Sequence, residues 1–186
     1  METKPIVVNF FGSSGCGKST AASLLFTKLK LERMNVELVT EFAKEMVWEG
    51  NQNAFVNEAY IFGNQSYRLS RLKGKVDIII TDAPLPLNIL YNKDTTLGKE
   101  FNQVVLNVFN SYNNLNYFML RTQPFDPVGR LETEEESDAL VPVLKDLLQS
   151  NGIRYTEYYG TEENYEKIAK EVIAYAEKCG VKGSPK

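Results

Sequence analysis

The sequence predicts an α/β protein whose parallel sheet is covered by helices on both faces. Short apolar runs of the kind found in buried strands alternate with segments of helical periodicity along the 186 residues. Polar or glycine residues follow several of these runs, and ligands of open α/β sheets bind at the carboxyl ends of strands. Because 43% of the residues are hydrophobic, the chain can bury a full core. We expect one compact domain over residues 1–180 and a flexible C-terminal tail at 181–186.

The first predicted strand, residues 6–11, leads directly into a glycine-rich loop. The loop fits the phosphate-binding pattern G-x-x-x-x-G-K-[ST] without a mismatch. Its glycines let backbone N–H groups approach a phosphate, and the N-terminus of the following helix supplies further unpaired N–H groups. Lys18 is expected to bridge the β- and γ-phosphates of a nucleotide, and Ser19 to bind Mg²⁺. The candidate nucleotide-binding residues of the loop are Gly12, Ser13, Ser14, Gly15, Cys16, Gly17, Lys18, Ser19 and Thr20.

A carboxylate follows the second predicted strand. A helix predicted over residues 18–33 precedes a strand at 36–40, which ends at Glu41. Since the carboxyl ends of parallel strands meet at one edge of the sheet, Glu41 is expected near the γ-phosphate. One interpretation makes Glu41 the general base that orients or deprotonates an acceptor hydroxyl. The alternative is a solvated carboxylate in the first helical turn, stabilised by the helix dipole.

Two helices predicted over residues 41–48 and 54–72 could cover an acceptor pocket. Phe42, Gln65 and Arg68 are the candidate acceptor-binding residues on them, together with Glu41. An amide can read the edge of a base, and a guanidinium can hold a phosphate or a sugar. The alternative for Gln65 and Arg68 is a polar outer face of the helix.

Asp82 closes the third predicted strand, residues 76–82, in the form of a Walker B segment. It would hold Mg²⁺ directly or through water, or it would serve as the base in place of Glu41. The prolines that follow force an extended turn before helices predicted at 87–91 and 97–112. Asn-Lys-Asp at 92–94 resembles the guanine-specifying pattern N-K-x-D, but a threonine stands in the aspartate position, which weakens a GTP-binding interpretation.

The fourth predicted strand, residues 117–120, is followed by an irregular run at 121–130 with an arginine at each end. Two prolines and a glycine exclude regular structure there. We expect a mobile lid in which Arg121 and Arg130 neutralise charge on the transferring phosphoryl group and exclude water on closing. Arg121 would also contact the nucleotide. The alternative is an ordinary basic surface loop.

The end of the chain completes the alternation of helix and strand. Thr133 and Glu136 fit a capping box for the next helix, in which Pro142 predicts a kink or a later start. A fifth strand is predicted at 153–159 and a last helix at 161–179, which a glycine ends.

The composition excludes several functions. No histidine is present, which rules out Ser-His-Asp and Cys-His nucleophiles and zinc sites with histidine ligands. The two cysteines do not form a disulfide framework. A net charge of −3 gives no global attraction to nucleic acid or to an anionic membrane. No apolar run reaches the roughly 18 residues of a membrane span, and residues 1–5 lack the apolar part of a signal peptide, so we expect a cytoplasmic protein without a membrane partner.

Taken together, these features resemble the P-loop nucleoside and nucleotide kinases. The glycine loop, the carboxylate after the second strand, the strand-ending Asp82 and the lid sequence F-D-P-V-G-R at 125–130 carry the resemblance. The resemblance extends over about residues 6–176. Within these kinases, the chain is similar to the small bacterial and phage ATPase or kinase domains related to ribosylnicotinamide kinase.

The resemblance implies a three-layer αβα sandwich around a five-stranded parallel sheet of order 2-3-1-4-5, with a kinase-type lid. It implies transfer of the γ-phosphoryl group of ATP, with Mg²⁺, to a nucleoside- or nucleotide-like small molecule. The residues expected to act in catalysis are Lys18, Glu41, Asp82, Arg121 and Arg130, and Arg130 would also contact the acceptor. Ala-Pro follows Asp82, whereas nucleoside kinases usually have an acidic residue followed by arginine after the third strand, so the identity of the acceptor stays open.

Two other interpretations are compatible with the same residues. The first is a kinase that acts on a hydroxymethylated base in phage DNA, which the acidic balance of the chain disfavours. The second is a regulatory P-loop ATPase or GTPase switch without a small-molecule acceptor. The sequence is compatible with a monomer or a homodimer.

Overall fold

A computed structural model describes residues 4–183 and shows a five-stranded, all-parallel sheet in the order β2-β3-β1-β4-β5. The expected α/β fold and strand order are confirmed. The strands are β1 Ile6–Phe11, β2 Val36–Val39, β3 Ile78–Thr81, β4 Asn113–Leu120 and β5 Thr156–Tyr159. The helices are α1 Lys18–Leu31, α2 Phe42–Trp48, α3 Glu58–Ser70, α4 Leu87–Tyr91, α5 Gly98–Asn110, α6 Glu134–Ser150 and α7 Glu162–Lys178, and a 3₁₀ helix spans Gln52–Val56.

Two hydrophobic cores lie on opposite faces of the sheet. Alternate residues of β1 enter different cores, because successive side chains of a strand point to opposite faces. Ile6, Val8 and Phe10 pack with apolar residues of α1 and α7. Val7 and Phe11 pack with apolar residues of α3, α5 and α6. Helices on both faces therefore explain why the central strand is apolar at nearly every position.

Strand β4 begins at Asn113, four residues earlier than predicted. Asparagine is depleted in strands, so local preference does not favour a strand over this stretch. In the structure, buried Asn9 of β1 donates its amide hydrogens to the side-chain oxygens of Asn114 and Asn116, each at 3.0 Å. These cross-strand hydrogen bonds satisfy the amides and override the local preference.

The helix predicted over residues 54–72 is interrupted at Asn57. The side chain of Asn57 accepts a hydrogen bond from the Tyr60 N–H at 3.0 Å and caps the start of α3, so the preceding turn is a separate 3₁₀ helix. By contrast, α6 runs continuously through Pro142 from its capping box at Thr133 and Glu136. The later start that Pro142 suggested is not observed.

The predicted C-terminal tail is partly described. Val181 packs against the core formed with α1 and α7, and its N–H donates to the carbonyl of Ala176 at 2.9 Å. Residues 184–186 lie outside the described residues. Within residues 4–183, none of the helices has the length and apolar character needed to cross a membrane.

Candidate functional site

The glycine-rich loop connects β1 to α1 and brings its backbone N–H groups to the carboxyl edge of the sheet. Gly12 has a φ of 136°, and a Cβ there would lie 2.6 Å from the carbonyl oxygen of Met119. Gly17, with a φ of 91°, precedes α1 and provides no side-chain cap. The first N–H groups of α1 therefore lack side-chain partners from this cap, and together with the helix dipole they form an anion-binding end.

Lys18 is folded back over this loop. Its Nζ donates to the carbonyl oxygens of Gly12 and Ser13, each at 2.9 Å. These contacts hold the ammonium group against the loop, where the oxygens of a bound phosphate would replace the carbonyls as its partners.

Ser19 and Asp82 form the part of the site suited to a cation. The Ser19 hydroxyl donates to Asp82 Oδ2 at 2.5 Å, while Asp82 Oδ1 is buried and has no hydrogen-bond partner among residues 4–183. A hydroxyl and a carboxylate are the hard oxygen ligands that Mg²⁺ prefers, and Mg²⁺ commonly takes only one or two protein ligands beside phosphate oxygens and waters. Residues 4–183 contain no cluster of three or more acidic, cysteine or histidine side chains arranged for a metal. The pair fits a magnesium ion that is shared with a bound nucleotide.

Glu41 lies at the carboxyl end of β2. It is half-buried on the wall of a cavity that residues of the glycine-rich loop also line. It precedes α2 but makes no side-chain capping hydrogen bond. Burial raises the pKa of the Glu41 carboxyl, the positive charge of Lys18 opposes that rise, and the Asp82 carboxylate adds to it. The three charged groups predicted from separate segments are thus brought together. The assignment of Glu41 or Asp82 as the base stays a prediction.

A cavity of about 1140 Å³ is lined by Lys18, Ser19 and Glu41 and extends to both sides of the loop. Because β1 is central, residues that follow β2 and β3 lie on one side of the loop and residues that follow β4 and β5 lie on the other. We call these sides the β2–β3 end and the β4–β5 end of the cavity. The β2–β3 end is lined by Val47, Phe55, Glu58, Gln65, Asn88 and Tyr91, and the β4–β5 end by Thr122, Gln123, Gly160, Thr161 and Tyr165.

The segment between β4 and α6, residues 121–133, includes the run predicted as a lid at 121–130 and lies against the phosphate-binding loop; we call it the lid segment. A Cβ added to Gly15 would lie 3.1 Å from the Phe125 ring and 3.7 Å from Arg130 Cζ. Both Arg121 and Arg130 stack over the Phe125 ring, with guanidinium carbons 5.2 and 5.4 Å from its centroid. Only Arg130 of the two lines the cavity. Arg121 instead pairs with Glu134 and Asp138 at the start of α6.

The predicted acceptor-binding side chains of α2 and α3 have different surroundings. Gln65 is buried on the cavity wall, and its Oε1 accepts the Phe42 N–H at 2.9 Å, which ties α3 to the start of α2. The Arg68 guanidinium makes a bidentate ion pair with Glu45 and lies 4.9 Å from the centroid of the Phe42 ring. Phe42 and Arg68 do not line the cavity. Their packing joins α2 to α3 beside the site.

Three residues that the sequence reasoning missed also face the cavity. Glu132, at the end of the lid segment, accepts a hydrogen bond from the Ser14 hydroxyl at 2.8 Å. Burial raises the pKa of the Tyr91 hydroxyl, and the nearby carboxylates of Glu132 and Glu41 add to the rise. Glu58 is a buried carboxyl at the β2–β3 end. In the sequence each has the pattern of an ordinary loop or helix residue, so no local signal distinguishes them.

We expect Glu132→Gln to increase affinity for ADP about three- to tenfold, because Glu132 holds negative charge against the phosphate-binding loop. Glutamine can still accept from Ser14 but does not repel phosphate. The measurement is an ADP titration followed by the fluorescence of Trp48, the single tryptophan of the chain, whose ring lies 2.6 Å from where a Cβ on Gly129 of the lid would be.

Glu177→Gln is the matched control, since it removes the same charge from an exposed position near the far end of α7. The gain should shrink as salt is raised. An unchanged affinity in Glu132→Gln would contradict the prediction that the Glu132 carboxylate weakens nucleotide binding.

An all-parallel 2-3-1-4-5 sheet with an anion-binding glycine loop after β1 and an aspartate after β3 defines a P-loop NTPase fold. The family model described as "AAA domain" matches residues 7–165, and the chain belongs to this family. It is therefore a nucleotide-binding P-loop domain of the ATPase-like type. A comparison with curated proteins finds no match.

Proposed function

We propose that the protein is an ATP-dependent kinase that transfers the γ-phosphoryl group to a hydroxyl or phosphate of a nucleoside- or nucleotide-like acceptor. The observation that supports this most is the extension of the cavity past the phosphate-binding loop into the β2–β3 end, with Glu41 on its wall. The cavity volume of about 1140 Å³ is larger than that of ordinary single-ligand pockets, which is roughly 300–1,000 Å³. A donor and an acceptor can occupy such a space together.

In this proposal the donor phosphates lie on the loop N–H groups, and Lys18 moves from the carbonyls of Gly12 and Ser13 to the phosphate oxygens. Ser19 and Asp82 would hold Mg²⁺, which would neutralise charge on the phosphate oxygens. Glu41 accepts the proton of the acceptor hydroxyl as that oxygen attacks phosphorus and the bond to the leaving ADP oxygen breaks. Arg130 reaches the same space from the lid.

In this proposal the nucleobase of ATP lies at the β4–β5 end of the cavity. Tyr165 offers an aromatic ring there, and its hydroxyl would lie 2.6 Å from a Cβ on Gly17, so it is close to the phosphate-binding loop. An acceptor would then enter from the opposite, β2–β3 end and meet the γ-phosphate between them.

A second candidate function is a P-loop ATPase without a small-molecule acceptor, which the AAA-domain family favours. In that case the same cavity would admit water, and Glu41 or Asp82 would orient it. The two functions share the phosphate-binding loop and differ in where the phosphoryl group goes.

The deciding experiment follows the label of γ-labelled ATP with Mg²⁺ over a panel of acceptors. The panel contains nucleosides, nucleoside monophosphates, nicotinamide riboside and hydroxymethylated DNA, and Lys18→Ala is the control. Label that appears on one acceptor, and is lost in Lys18→Ala, supports the kinase and tells a small molecule from a DNA base. Release of free phosphate alone, also lost in the control, supports the ATPase and contradicts the proposal.

A further inference from the structure

Two lysines at the β2–β3 end of the cavity have no part in the chemical step. Lys44 is the third residue of α2, and Lys93 lies between α4 and α5; both line the cavity. Among residues 4–183, neither side chain makes a hydrogen bond or an ion pair. Two cations at one end of a cavity without counter-ions attract a ligand that carries negative charge.

Lys44 lies beside the proposed base. Glu41 immediately precedes α2 and Lys44 is three residues further on, a spacing that makes the two side chains neighbours at the start of a helix. Val47, the next residue at this spacing, lines the cavity as well. The positive charge of Lys44 opposes the rise that burial causes in the pKa of the Glu41 carboxyl. A ligand group held by Lys44 would therefore lie next to the acceptor hydroxyl.

Lys93 approaches the same space from the end of α4. Tyr91, the last residue of α4, lies near Glu41, whose carboxylate adds to the rise that burial causes in the pKa of the Tyr91 hydroxyl. Lys93 is two residues beyond. The adjacent Asp94 carboxylate accepts hydrogen bonds from the N–H and the hydroxyl of Thr96, at 2.9 and 2.5 Å, and forms no ion pair with Lys93. Two different elements thus bring a cation to the neighbourhood of Glu41.

The acidic groups of the cavity leave this end open to an anion. Glu58, the first residue of α3, is the remaining charged side chain at the β2–β3 end. Burial raises the pKa of Glu58 to about 7, so at neutral pH it is only partly ionised and repels an anion less than an exposed glutamate does. The other carboxylates that line the cavity belong to segments that follow β4 or β5, and they are Asp126, Glu132, Glu136 and Glu162.

A phosphate ester is the anion that suits two lysines. A phosphomonoester carries a charge of about −1.5 to −2 at neutral pH and offers three strong acceptor oxygens. Each lysine supplies a compact positive charge with three donors. Glu41 is suited to a hydroxyl that loses a proton, whereas an ionised phosphate oxygen needs no base to attack. The phosphate at the lysines would therefore be a second group of the acceptor.

We propose that Lys44 and Lys93 bind a phosphate ester of the acceptor, beside the hydroxyl that receives the γ-phosphoryl group. The acceptor is then a nucleotide with a free hydroxyl and not a neutral nucleoside. A free nucleoside monophosphate and a phosphodiester within a polynucleotide both provide this chemistry. The inference rests on the proposed kinase function and names the acceptor class for it.

The test measures how much a phosphate ester adds to binding. The ligands are the common deoxynucleosides, their 5′- and 3′-monophosphates, and a single-stranded DNA of about eight nucleotides, a length within the usual range of single-strand sites. Affinities are measured by calorimetry at pH 7 with Mg²⁺ and saturating ADP, which occupies the phosphate-binding loop. We expect a monophosphate or the DNA strand to bind at least about tenfold more tightly than the nucleosides. Tighter binding of the monophosphates identifies a free nucleotide, and tighter binding of the strand alone identifies a polynucleotide.

The variants test whether the two lysines cause this preference. Lys44→Gln and Lys93→Gln should each lower it, and the double variant should reduce it to about threefold or less. Lys44→Arg keeps the charge and should retain the preference. Lys99→Gln is the matched control, because it removes the same charge from an exposed position outside the cavity lining. ADP binding by each variant shows that it is folded.

Four results would overturn the inference. They are equal affinities for nucleosides and phosphate-bearing ligands, a preference that survives in the double variant, an equal loss of preference in Lys99→Gln, and no binding of any of these ligands.

The outcomes also separate this inference from the kinase proposal. Phosphoryl transfer to a neutral nucleoside, unaffected in the double variant, would keep the kinase and refute the role of the lysines. Lysine-dependent binding of a phosphate-bearing ligand, with label released only to water, would keep the binding site and refute the kinase.

Discussion

Replacing Glu41 with glutamine is expected to lower the turnover number of phosphoryl transfer about 10²–10⁴-fold, the usual contribution of a general base. Nucleotide affinity should be retained, because Glu41 lies beside Lys18 but does not belong to the loop that holds the phosphates. Glutamine has nearly the same shape as glutamate and cannot take the proton. Single-turnover rates and equilibrium binding of ADP, measured on the same preparation, separate the two effects.

The pH dependence of the wild-type enzyme provides an independent check on Glu41. Burial raises the pKa of its carboxyl, so Glu41, the proposed base, becomes protonated at a higher pH than an exposed glutamate, whose pKa is 4.5. Turnover should therefore fall as the pH drops through that raised value, and the fall should be absent from the residual activity of Glu41→Gln. Glu49→Gln, an exposed change of the same kind, should behave as wild type. Normal turnover in Glu41→Gln would remove it from the mechanism.

Asp82→Asn is expected to weaken nucleotide binding in the presence of Mg²⁺ at least about tenfold, while binding without Mg²⁺ is not weakened. The asparagine can still accept the hydrogen bond from Ser19, but it lacks the charge that a divalent cation requires. The substitution replaces the carboxylate, whose Oδ1 is buried and has no hydrogen-bond partner among residues 4–183, with a neutral amide. Titrating Mg²⁺ against the variant at a fixed concentration of ADP measures the change directly.

Asp77→Asn is the control, because Asp77 precedes β3 at the opposite end of that strand. Loss of turnover in Asp82→Asn with an unchanged Mg²⁺ dependence would contradict a metal ligand. It would favour Asp82 as the base, and a normal Glu41→Gln enzyme would agree with that assignment.

The sequence determined the fold class and the phosphate-binding loop because both depend on local patterns. Apolar runs that separate helical segments are read from neighbouring residues, and a glycine loop before Lys18 and Ser19 specifies its own backbone geometry. Asp82 and Glu41 could be placed near the loop because each follows a strand of a parallel sheet, and such strands end at one edge.

Only the tertiary structure decided which polar side chains face the cavity. Glu132 contacts Ser14 across 118 positions of the chain, and no local pattern contains that contact. Arg68 had the chemistry of a phosphate ligand, but its bidentate pairing with Glu45 directs its charge elsewhere. Glu58 has the pattern of an ordinary first-turn carboxylate, and packing buries it on the cavity wall without a hydrogen-bond partner among residues 4–183. Burial and pairing depend on segments distant in sequence, so the polar groups on the cavity wall emerged only from packing, whereas the residues expected to hold phosphate could be predicted from the sequence.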